Sequence, residues 1–377
     1  MKITRIGSVL LQPFPWVLVK VETDEGITGI GEAYHGAGVH QIVVDPRLQR
    51  PLLGQDPRHV DKLFRDMMHA MSASGFYQGA VMSAISGIET ALWDITGQAL
   101  GVPIWQLLGG KFRDKIRLYN DCHAGASETP EAYVAKAKEV EALGFSALKF
   151  DIDPLPSQRD PYNRCISNDD IAYYTEVVTA VRQGLQRNTD LAIDAHWFYA
   201  PVDILKLAYA FEPLNLLWLE DPIPPENVVA MTRVAGATRT PICTGENFYS
   251  RHGFRELIEK QGADIISPDL AKAGGLLEGR RIADLADLYY IPVAPHNIGS
   301  PIETIATCHV MAAIPNFLAL EFHHLHNPIW ENLLDGPPLI ADGHITVPDR
   351  PGLGVTLNED TVRANAKENL GFFSING

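Results

Sequence analysis

The sequence contains few cysteines, and their spacing matches no metal-binding motif. The four are scattered along 377 residues, at Cys122, Cys165, Cys243 and Cys308. We therefore expect reduced thiols in the protein core. No apolar run approaches the roughly 18 residues that span a bilayer, and the N-terminal MKITRIGSVLL has no signal-peptide core. These absences predict a cytoplasmic protein.

Positive charge is also scarce. The chain has 31 Lys and Arg against 46 Asp and Glu, a formal net charge of -15. Nucleic acids and membrane surfaces are bound by clustered Lys and Arg, so we expect neither as a partner. An anionic small molecule is still compatible with this charge, because one bound metal ion can reverse the local field. At this length, two domains are the natural expectation.

The pattern of predicted strands and helices changes near residue 114. Before that point, WVLVKVETDEGITGIGEA predicts a hairpin that turns at Asp24-Glu25-Gly26, and one long helical stretch is expected from about Arg58 to the break at Gly101-Val102-Pro103. We predict an α+β domain over residues 1–113. Residues 326–377 show no helix-strand repeat and are expected to return to this first domain.

Between these parts, residues 114–325 alternate apolar runs with helix-length segments. The eight candidate strands are IRLYND, ALKFDID, LAIDAH, LLWLED, PICTGE, DIISPD, IPVAPH and LALEFH. Eight strand-helix units predict a parallel (β/α)₈ barrel of the TIM type. Continuous rather than alternating apolar runs are typical of strands that are buried on both faces.

Polar residues end six consecutive strands, at intervals of 23 to 27 residues: Asp194, Glu220, Glu246, Asp269, His296 and Glu321. In a parallel barrel the carboxyl ends of the strands meet at one mouth, where active sites are built. We therefore expect these six side chains to face one another.

The first three residues of this series are carboxylates on neighbouring strands, an oxygen-only set suited to a hard cation such as Mg²⁺. The alternative is that Asp194, Glu220 and Glu246 each cap a helix or pair with a lysine. Three crowded carboxylates repel strongly unless they are neutralised. We expect one Mg²⁺ at these residues.

The next two residues, Asp269 and His296, suggest a general base, because a carboxylate fixes the tautomer of a histidine and raises its basicity. A buried structural histidine is the alternative.

His196 lies two residues after Asp194. Strand alternation is expected to put the two side chains on the same inward side, so that His196 is directed toward the molecule bound by the metal. A stacking role for His196 is the alternative.

Three further strand residues are expected near the site. Lys149 and Asp151 share one face of ALKFDID. Lys149 is a candidate base, a contact to a substrate carboxylate, or a counter-charge to the acids. Glu321 is a candidate hydrogen-bond partner of the substrate or a balance for Lys149.

These residues and motifs resemble the enolase superfamily, in its mandelate racemase subgroup, along nearly the whole chain. The resemblance also rests on SAISGIETALWDITGQALGVPIWQLLGG, SPDLAKAGG and VPDRPGLGV. It implies a modified barrel under a capping domain formed by both termini, and a Mg²⁺ ion on the three strand-end acids. The chemistry it implies is removal of the proton α to a carboxylate, giving an enediolate that the metal stabilises.

Within the subgroup, the third-strand pattern Asp-x-His resembles galactonate dehydratase-like enzymes. The resemblance implies that His296 with Asp269 removes the α-proton and that His196 protonates the departing β-hydroxyl. Racemases and lactonizing enzymes of the subgroup usually carry Lys-x-Lys in the second strand. Here that strand reads Lys149-Phe150-Asp151, which disfavours a two-base racemase.

Several residues outside the barrel strands are candidates to select the substrate. A charged insertion over residues 154–170 carries Arg159, Tyr162 and Arg164, which are candidates to bind a polar substrate; a solvated surface loop is the alternative. From the capping domain, Phe14, Trp16 and His35 are candidates to contact substrate.

We expect a homo-oligomeric Mg²⁺-dependent dehydratase whose small-molecule substrate is an aldonate or aldarate. A sugar-acid isomerase, cycloisomerase or epimerase with the same His296 base is the second hypothesis. A non-catalytic carboxylate-binding protein is the third. Formation of a 2-keto acid distinguishes the first from the others.

Overall fold

The chain begins with a three-stranded antiparallel sheet. In the computed structural model, which describes residues 1–75, 78–125, 129–152, 164–368 and 370–373, its strands are β1 (Ile3–Leu10), β2 (Trp16–Thr23) and β3 (Thr28–His35). β2 and β3 form the expected antiparallel pair. In the turn between them Gly26 has a φ of 79°, a left-handed conformation that glycine adopts at little cost.

Helices follow this sheet along the chain: α1 (Ala37–Val43), α2 (Pro46–Gln49), α3 (Val60–Ala70), α4 (Gly79–Leu100) and α5 (Ile104–Leu107). The expected single helical stretch was wrong, because α3 ends at Ala70 and a 3-10 turn follows at Ser72–Ser74. α4 packs closely on β3, where a Cβ on Gly29 or Gly31 would overlap the α4 backbone. It ends before Gly101, at the expected break.

Parallel strands form the second part of the chain: β4 (Lys115–Cys122), β5 (Ala147–Asp151), β6 (Asp190–Asp194), β7 (Leu219–Glu220), β8 (Ile242–Thr244), β9 (Ile265–Ile266) and β10 (Leu320–Phe322). The seventh expected strand is reduced to parallel bridges of Val293 with Ile266 and Phe317. β10 then pairs in parallel with β4, so the ring is closed. The barrel expectation is confirmed.

A layer of side chains fills the barrel interior below the strand ends, with one residue from each of the eight strand positions: Tyr119, Ala147, Ala192, Trp218, Cys243, Ile265, Ala294 and Ala319. The two large aromatic rings of this layer meet edge to face, with centroids 5.0 Å apart. Alanine or cysteine on five of the other six strand positions leaves room for them. The layer is a solid floor on which the polar strand ends rest.

The helices of the barrel connect successive strands: α6 (Pro130–Ala142), α7 (Asn168–Gly184), α8 (Pro201–Phe211), α9 (Val228–Ala235), α10 (Ser250–Glu259), α11 (Leu270–Ala273), α12 (Leu276–Asp287) and α13 (Pro301–Ala312). A 3-10 turn at Glu212–Leu214 follows α8. Side chains cap several of these helices. Ser167 and Asp170 form a reciprocal capping box at α7, which stabilises the return of the chain from the 154–170 insertion.

The C-terminal residues pack on both earlier parts. They form α14 (Pro328–Asn332), β11 (Ile340–Ala341), β12 (His344–Thr346) and α15 (Glu359–Asn365). β12 pairs antiparallel with β4, on the outside of the barrel ring. Beyond α15, Ala366 bridges Leu11 of the N-terminal region, and Arg5 Nη2 donates to the Phe373 carbonyl at 2.6 Å.

One buried carboxylate joins the two ends of the chain. Asp94 of α4 accepts a hydrogen bond from the Ile30 N–H of β3 at 3.0 Å. It also accepts one from the Leu353 N–H of the C-terminal segment at 2.8 Å. Its side chain has little solvent contact, and burial raises its pKa to about 6. The helix, the sheet and the returning segment therefore share one acceptor.

The burial of the cysteines and the length of the helices can be compared with what the sequence predicted. Cys122, Cys243 and Cys308 are buried as expected, whereas Cys165 is exposed and is not a core thiol. No helix within the described residues has both the length and the apolar character needed to cross a membrane.

Replacing Asp94 with alanine is expected to lower the free energy of unfolding by about 2–4 kcal/mol. One buried and one part-buried N–H group would lose a charged acceptor, at about 1–3 kcal/mol each. Urea unfolding followed by circular dichroism measures the change. The control is Asp284→Ala, which removes an exposed partner of Arg280 and should change stability by less than about 1 kcal/mol. Equal effects of the two substitutions would contradict this account.

Candidate active site

Three carboxylates meet at the mouth of the barrel. Strand pairing puts Asp194 beside Glu220 in register, and Glu246 follows β8 on the next strand. One oxygen from each residue lies within 4.8 Å of the others. All three side chains are buried or nearly so. The strand-end residues that the sequence placed on adjacent strands are therefore adjacent in space.

Lys149 extends from β5 into the centre of these acids. Its Nζ lies 2.7 Å from Glu321, 3.0 Å from Asp194, 3.2 Å from Glu220 and 3.4 Å from Asp121. Burial lowers the pKa of this amine, but the surrounding carboxylates outweigh that effect and hold it well above its usual range. The geometry supports the counter-charge interpretation of Lys149 and the balancing interpretation of Glu321.

One ammonium leaves most of this negative charge uncompensated. Burial and neighbouring acids raise the pKa of Glu220 well above its usual range. Glu220 Oε2 accepts from Trp218 Nε1 at 2.7 Å, whereas Oε1 has no hydrogen-bond partner among the described residues. Glu246 lies 3.9 Å from Lys272 Nζ, too far for a direct hydrogen bond. An all-oxygen donor set with an unpartnered buried oxygen fits a divalent cation.

His296 lies on the other side of the mouth, within reach of Asp269. The distance from its Nδ1 to Asp269 Oδ2 is 2.8 Å, and its Nε2 lies 3.2 Å from Glu246 Oε2. Burial lowers the pKa of His296, but Glu246, Glu321 and Asp269 raise it more, to about 10. A cation held by Glu246 would offset part of that charge. The carboxylate on Nδ1 leaves Nε2 directed to the mouth.

His196 lies beside Asp194, but the expected reason was wrong. β6 ends at Asp194, and His196 has a positive φ of 42°, so strand alternation does not apply to it. Instead its backbone N–H donates to Asp194 Oδ1 at 2.9 Å, and its Nε2 lies 3.8 Å from Asp194 Oδ2 and 4.0 Å from Asp151 Oδ1. Burial and nearby acids raise the pKa of Asp151 to about 8.

The capping sheet supplies residues around the mouth. His35 stacks on Tyr34, and burial lowers its pKa to about 4, so the ring is neutral at pH 7. Trp16 differs from the expectation of substrate contact: it is fully buried, stacks on Phe14 and donates to the Ile298 carbonyl at 3.2 Å. It supports the loop after the seventh strand position.

The insertion after β5 is only partly described. Arg159 and Tyr162 lie outside the described residues. Arg164 is described, and its Nη1 donates to the Trp197 carbonyl at 2.7 Å, next to His196.

Sequence reasoning missed two residues of the mouth. Asp121 is the next-to-last residue of β4, the first barrel strand, and His323 follows β10, the last one. His323 Nε2 lies 3.2 Å from Asp121 Oδ2 and 3.3 Å from Glu321 Oε1. The sequence did contain a signal for Asp121: it is the last residue of the apolar run IRLYND, just as Asp194 and Glu220 follow their own apolar runs. His323 had no such signal, since it is one of two adjacent histidines after β10.

Comparison with known families places both parts of the chain. Residues 4–109 match the mandelate racemase/muconate lactonizing enzyme N-terminal domain. Residues 132–361 match the enolase C-terminal domain-like family. Together the two matches span most of the chain.

Named relatives cover nearly all of the chain. It is 45% identical over 357 residues to a D-xylonate dehydratase of Haloferax volcanii, a match that covers 94% of this chain and 86% of the relative. It is 35% identical over 383 residues to a D-galactonate dehydratase of Ralstonia pickettii, with 98% and 95% covered.

Solved structures agree with these matches. A mandelate racemase/muconate lactonizing enzyme-like protein from Rubrobacter xylanophilus superimposes with a TM-score of 0.95 at 42% identity, over 99% of both chains. A member of the enolase superfamily from Salmonella Typhimurium gives a TM-score of 0.89 at 29% identity, over 97% of this chain and 98% of that one. The chain therefore belongs to the mandelate racemase/muconate lactonizing enzyme family of the enolase superfamily.

Proposed function

We propose that this protein is a Mg²⁺-dependent dehydratase of sugar acids that converts an aldonate or aldarate into a 2-keto-3-deoxy acid and water. One observation carries the proposal: two histidines, His296 and His196, lie at the same cluster of carboxylates but follow different strand positions of the barrel. Dehydration needs both a base at the α-carbon and an acid at the β-hydroxyl. The relatives named as D-xylonate and D-galactonate dehydratases support the same reaction class.

Asp194, Glu220 and Glu246 would hold the cation, because they form the all-oxygen cluster and include the unpartnered Glu220 Oε1. When bound, Mg²⁺ supplies positive charge that binds the substrate carboxylate and stabilises the negative charge that develops there. Lys149 is not a ligand in this proposal. Its ammonium offsets part of the negative charge of the acids from below, on the side of the barrel floor.

His296 removes the α-proton. Its Nδ1 is held by Asp269, so Nε2 accepts the proton at the mouth. The pair of electrons from the C–H bond moves toward the carboxylate carbon. Asp269 then stabilises the imidazolium that forms, because the two groups become an ion pair in a site with little solvent.

His196 then supplies a proton to the β-hydroxyl. The electron pair returns to form the Cα–Cβ double bond, the Cβ–O bond breaks, and the oxygen leaves as water with the proton from His196 Nε2. The resulting enol takes a proton at Cβ and releases the proton of its Cα hydroxyl, which gives the 2-keto-3-deoxy acid. The atoms balance: the substrate loses one water and no oxidant is needed.

The residue two positions after Lys149 favours dehydration over racemisation. β5 presents Asp151 there instead of a second lysine, so this position supplies no second amine base for the opposite face. Burial and nearby acids raise the pKa of Asp151 to about 8, which favours its protonated form. It can donate a hydrogen bond to a hydroxyl of the substrate, and we propose it with Glu321 and His35 as part of the substrate pocket. Arg159 and Tyr162 remain proposed contacts from the insertion.

Purified protein is expected to form a 2-keto acid from at least one member of a sugar-acid panel, headed by D-xylonate and D-galactonate. Semicarbazide detects the new carbonyl group. Activity should disappear after exhaustive treatment with EDTA and return on addition of Mg²⁺, because the carboxylate cluster would lose its cation.

Three outcomes would contradict the proposal. Undiminished activity after removal of the metal would exclude the role of the three carboxylates. If no member gave a carbonyl signal but one changed its optical rotation, the protein would be an isomerase or epimerase. Absence of any turnover across the panel, with tight binding of a sugar acid, would favour a binding protein.

The two histidines are expected to serve separate half-reactions. His296→Asn should slow exchange of the substrate α-hydrogen with solvent deuterium by about 100-fold or more, since the base is gone. His196→Asn should keep this exchange and yet slow formation of the 2-keto acid by about 100-fold, since hydroxide would leave unprotonated. Proton NMR in D₂O measures the exchange and the carbonyl assay measures elimination.

Each histidine variant is the control for the other, because both remove an imidazole at the same mouth. If His196→Asn dehydrates at the rate of the unmodified protein, His196 is only a neighbour of the site. If His296→Asn still exchanges the α-hydrogen, another group is the base.

A further inference from the structure

A second group of residues that can ligate a metal lies on the β4 and β10 side of the barrel mouth. It consists of Asp121 of β4, His123 just after β4 and His323 just after β10. The two strands run parallel with Phe322 opposite Asn120, so the next residues, His323 and Asp121, lie at the same level of the barrel. One ligand atom from each of the three lies within 4.8 Å of the others. We call this group the β4–β10 cluster.

The carboxylate of Asp121 has one oxygen without a partner. Its side chain is 3% exposed. Oδ2 lies 3.2 Å from His323 Nε2 and 3.4 Å from Lys149 Nζ. Oδ1 is buried and has no hydrogen-bond partner among the described residues. An unsatisfied buried carboxylate oxygen is costly, and a cation bound by this carboxylate would satisfy it.

The local charge also favours a cation at Asp121. The ammonium of Lys149 lies closer to Asp194, Glu220 and Glu321 than to Asp121, so it offsets only part of the Asp121 charge. The three-carboxylate cluster takes its ligands from other strand positions. A Mg²⁺ ion held there would therefore not ligate Asp121.

The two histidines can complete the ligand set of one ion. Bonds of about 2.0–2.2 Å to a tetrahedral Zn²⁺ place neighbouring ligand atoms about 3.3–3.6 Å apart. Asp121 Oδ2 and His323 Nε2, at 3.2 Å, already have nearly this spacing. The ring of His123 can turn toward them, because its side chain is 66% exposed and its Nδ1 lies 3.6 Å from Asp151 Oδ2, too far for a direct hydrogen bond.

We propose that Asp121, His123 and His323 form a second metal site, which binds a divalent transition-metal ion of the Zn²⁺ class. Two imidazole nitrogens with one carboxylate suit Zn²⁺, Co²⁺ or Ni²⁺, whereas Mg²⁺ and Mn²⁺ prefer oxygen ligands. Three protein ligands leave a coordination position at the mouth for water or for an oxygen of a bound molecule. Binding at this site does not depend on the proposed dehydration.

Binding of Zn²⁺ to the untagged full-length protein, followed by calorimetry, tests the proposal. Saturating Mg²⁺ is present throughout to occupy the three-carboxylate cluster. His123→Ala and His323→Asn each remove a ligand. His326→Asn is the matched control, because its side chain is 64% exposed and its Nε2 lies 3.3 Å from Glu139, outside the β4–β10 cluster. Glu246→Gln removes a ligand of the other cluster.

The unmodified protein is expected to bind one Zn²⁺ per chain under these conditions. His123→Ala and His323→Asn should each weaken binding by at least about tenfold, since loss of even an outer partner of a metal site typically costs about 10–100-fold. Glu246→Gln should weaken it less than either, and His326→Asn should not change it. With Co²⁺ as the probe, the visible absorption of the bound ion should appear and be lost in the same two variants.

Three results would overturn the second site. Absence of Zn²⁺ binding in saturating Mg²⁺ would leave His323 as an ion-pair partner of Asp121 and Glu321 alone. Binding that is lost in Glu246→Gln but kept in both cluster variants would assign Zn²⁺ to the three-carboxylate cluster. Equal weakening in His326→Asn would mean that surface histidines bind the ion without specificity. If His323→Asn does not fold, His123→Ala decides alone, because it removes an exposed ring.

Discussion

The crowding of buried carboxylates around Lys149 is the constraint on which the rest of the structure depends. Four acids from four different strands lie within 3.4 Å of one ammonium group. Such an arrangement is costly, because each charge loses its hydration and the acids repel one another. It persists only where the backbone fixes every member. The parallel ring of strands does this, since register places Asp194 beside both Asp151 and Glu220.

The floor of the barrel and the cap close this charged layer from both sides. Below it, Trp218 fills the interior and also donates to Glu220, so one side chain serves packing and electrostatics together. Above it, Glu32 reaches from the capping sheet to the start of α13. A second cap residue, Glu89 of α4, accepts from the N–H groups of Leu276 and Leu277 at the start of α12. The cap therefore holds two barrel helices that follow active-site strand positions.

The strand-end residues could be predicted from the sequence because a parallel barrel converts a regular interval along the chain into proximity in space. Asp194, Glu220 and Glu246 needed no further information. His196 shows the limit of this reasoning. The period of a strand holds only inside the strand, and the chain leaves β6 at Asp194 with a left-handed residue after it. Its proximity to Asp194 comes from a local backbone hydrogen bond instead.

Residues on helices were harder to predict. Glu89 lies in the largely apolar helix α4 and accepts hydrogen bonds from the Leu276 and Leu277 N–H groups, 187 and 188 positions further along the chain. No periodic pattern identifies such a contact, because it depends on where α4 packs after the fold is complete. The role of Lys149 was open for a related reason: a lysine at a strand end is a base or a counter-charge according to how many acids surround it. Only the assembled barrel determines that number.

Binding of Mn²⁺ to the metal-free protein, followed by electron paramagnetic resonance, tests the central claim most directly. The account predicts one bound Mn²⁺ per chain, with affinity at least about tenfold weaker in Glu220→Gln. Asp121→Asn removes a charge from the same mouth outside the three-carboxylate cluster and should weaken binding by less than about threefold. No binding to the unmodified protein, or an equal loss in both variants, would contradict a specific cation site at Asp194, Glu220 and Glu246.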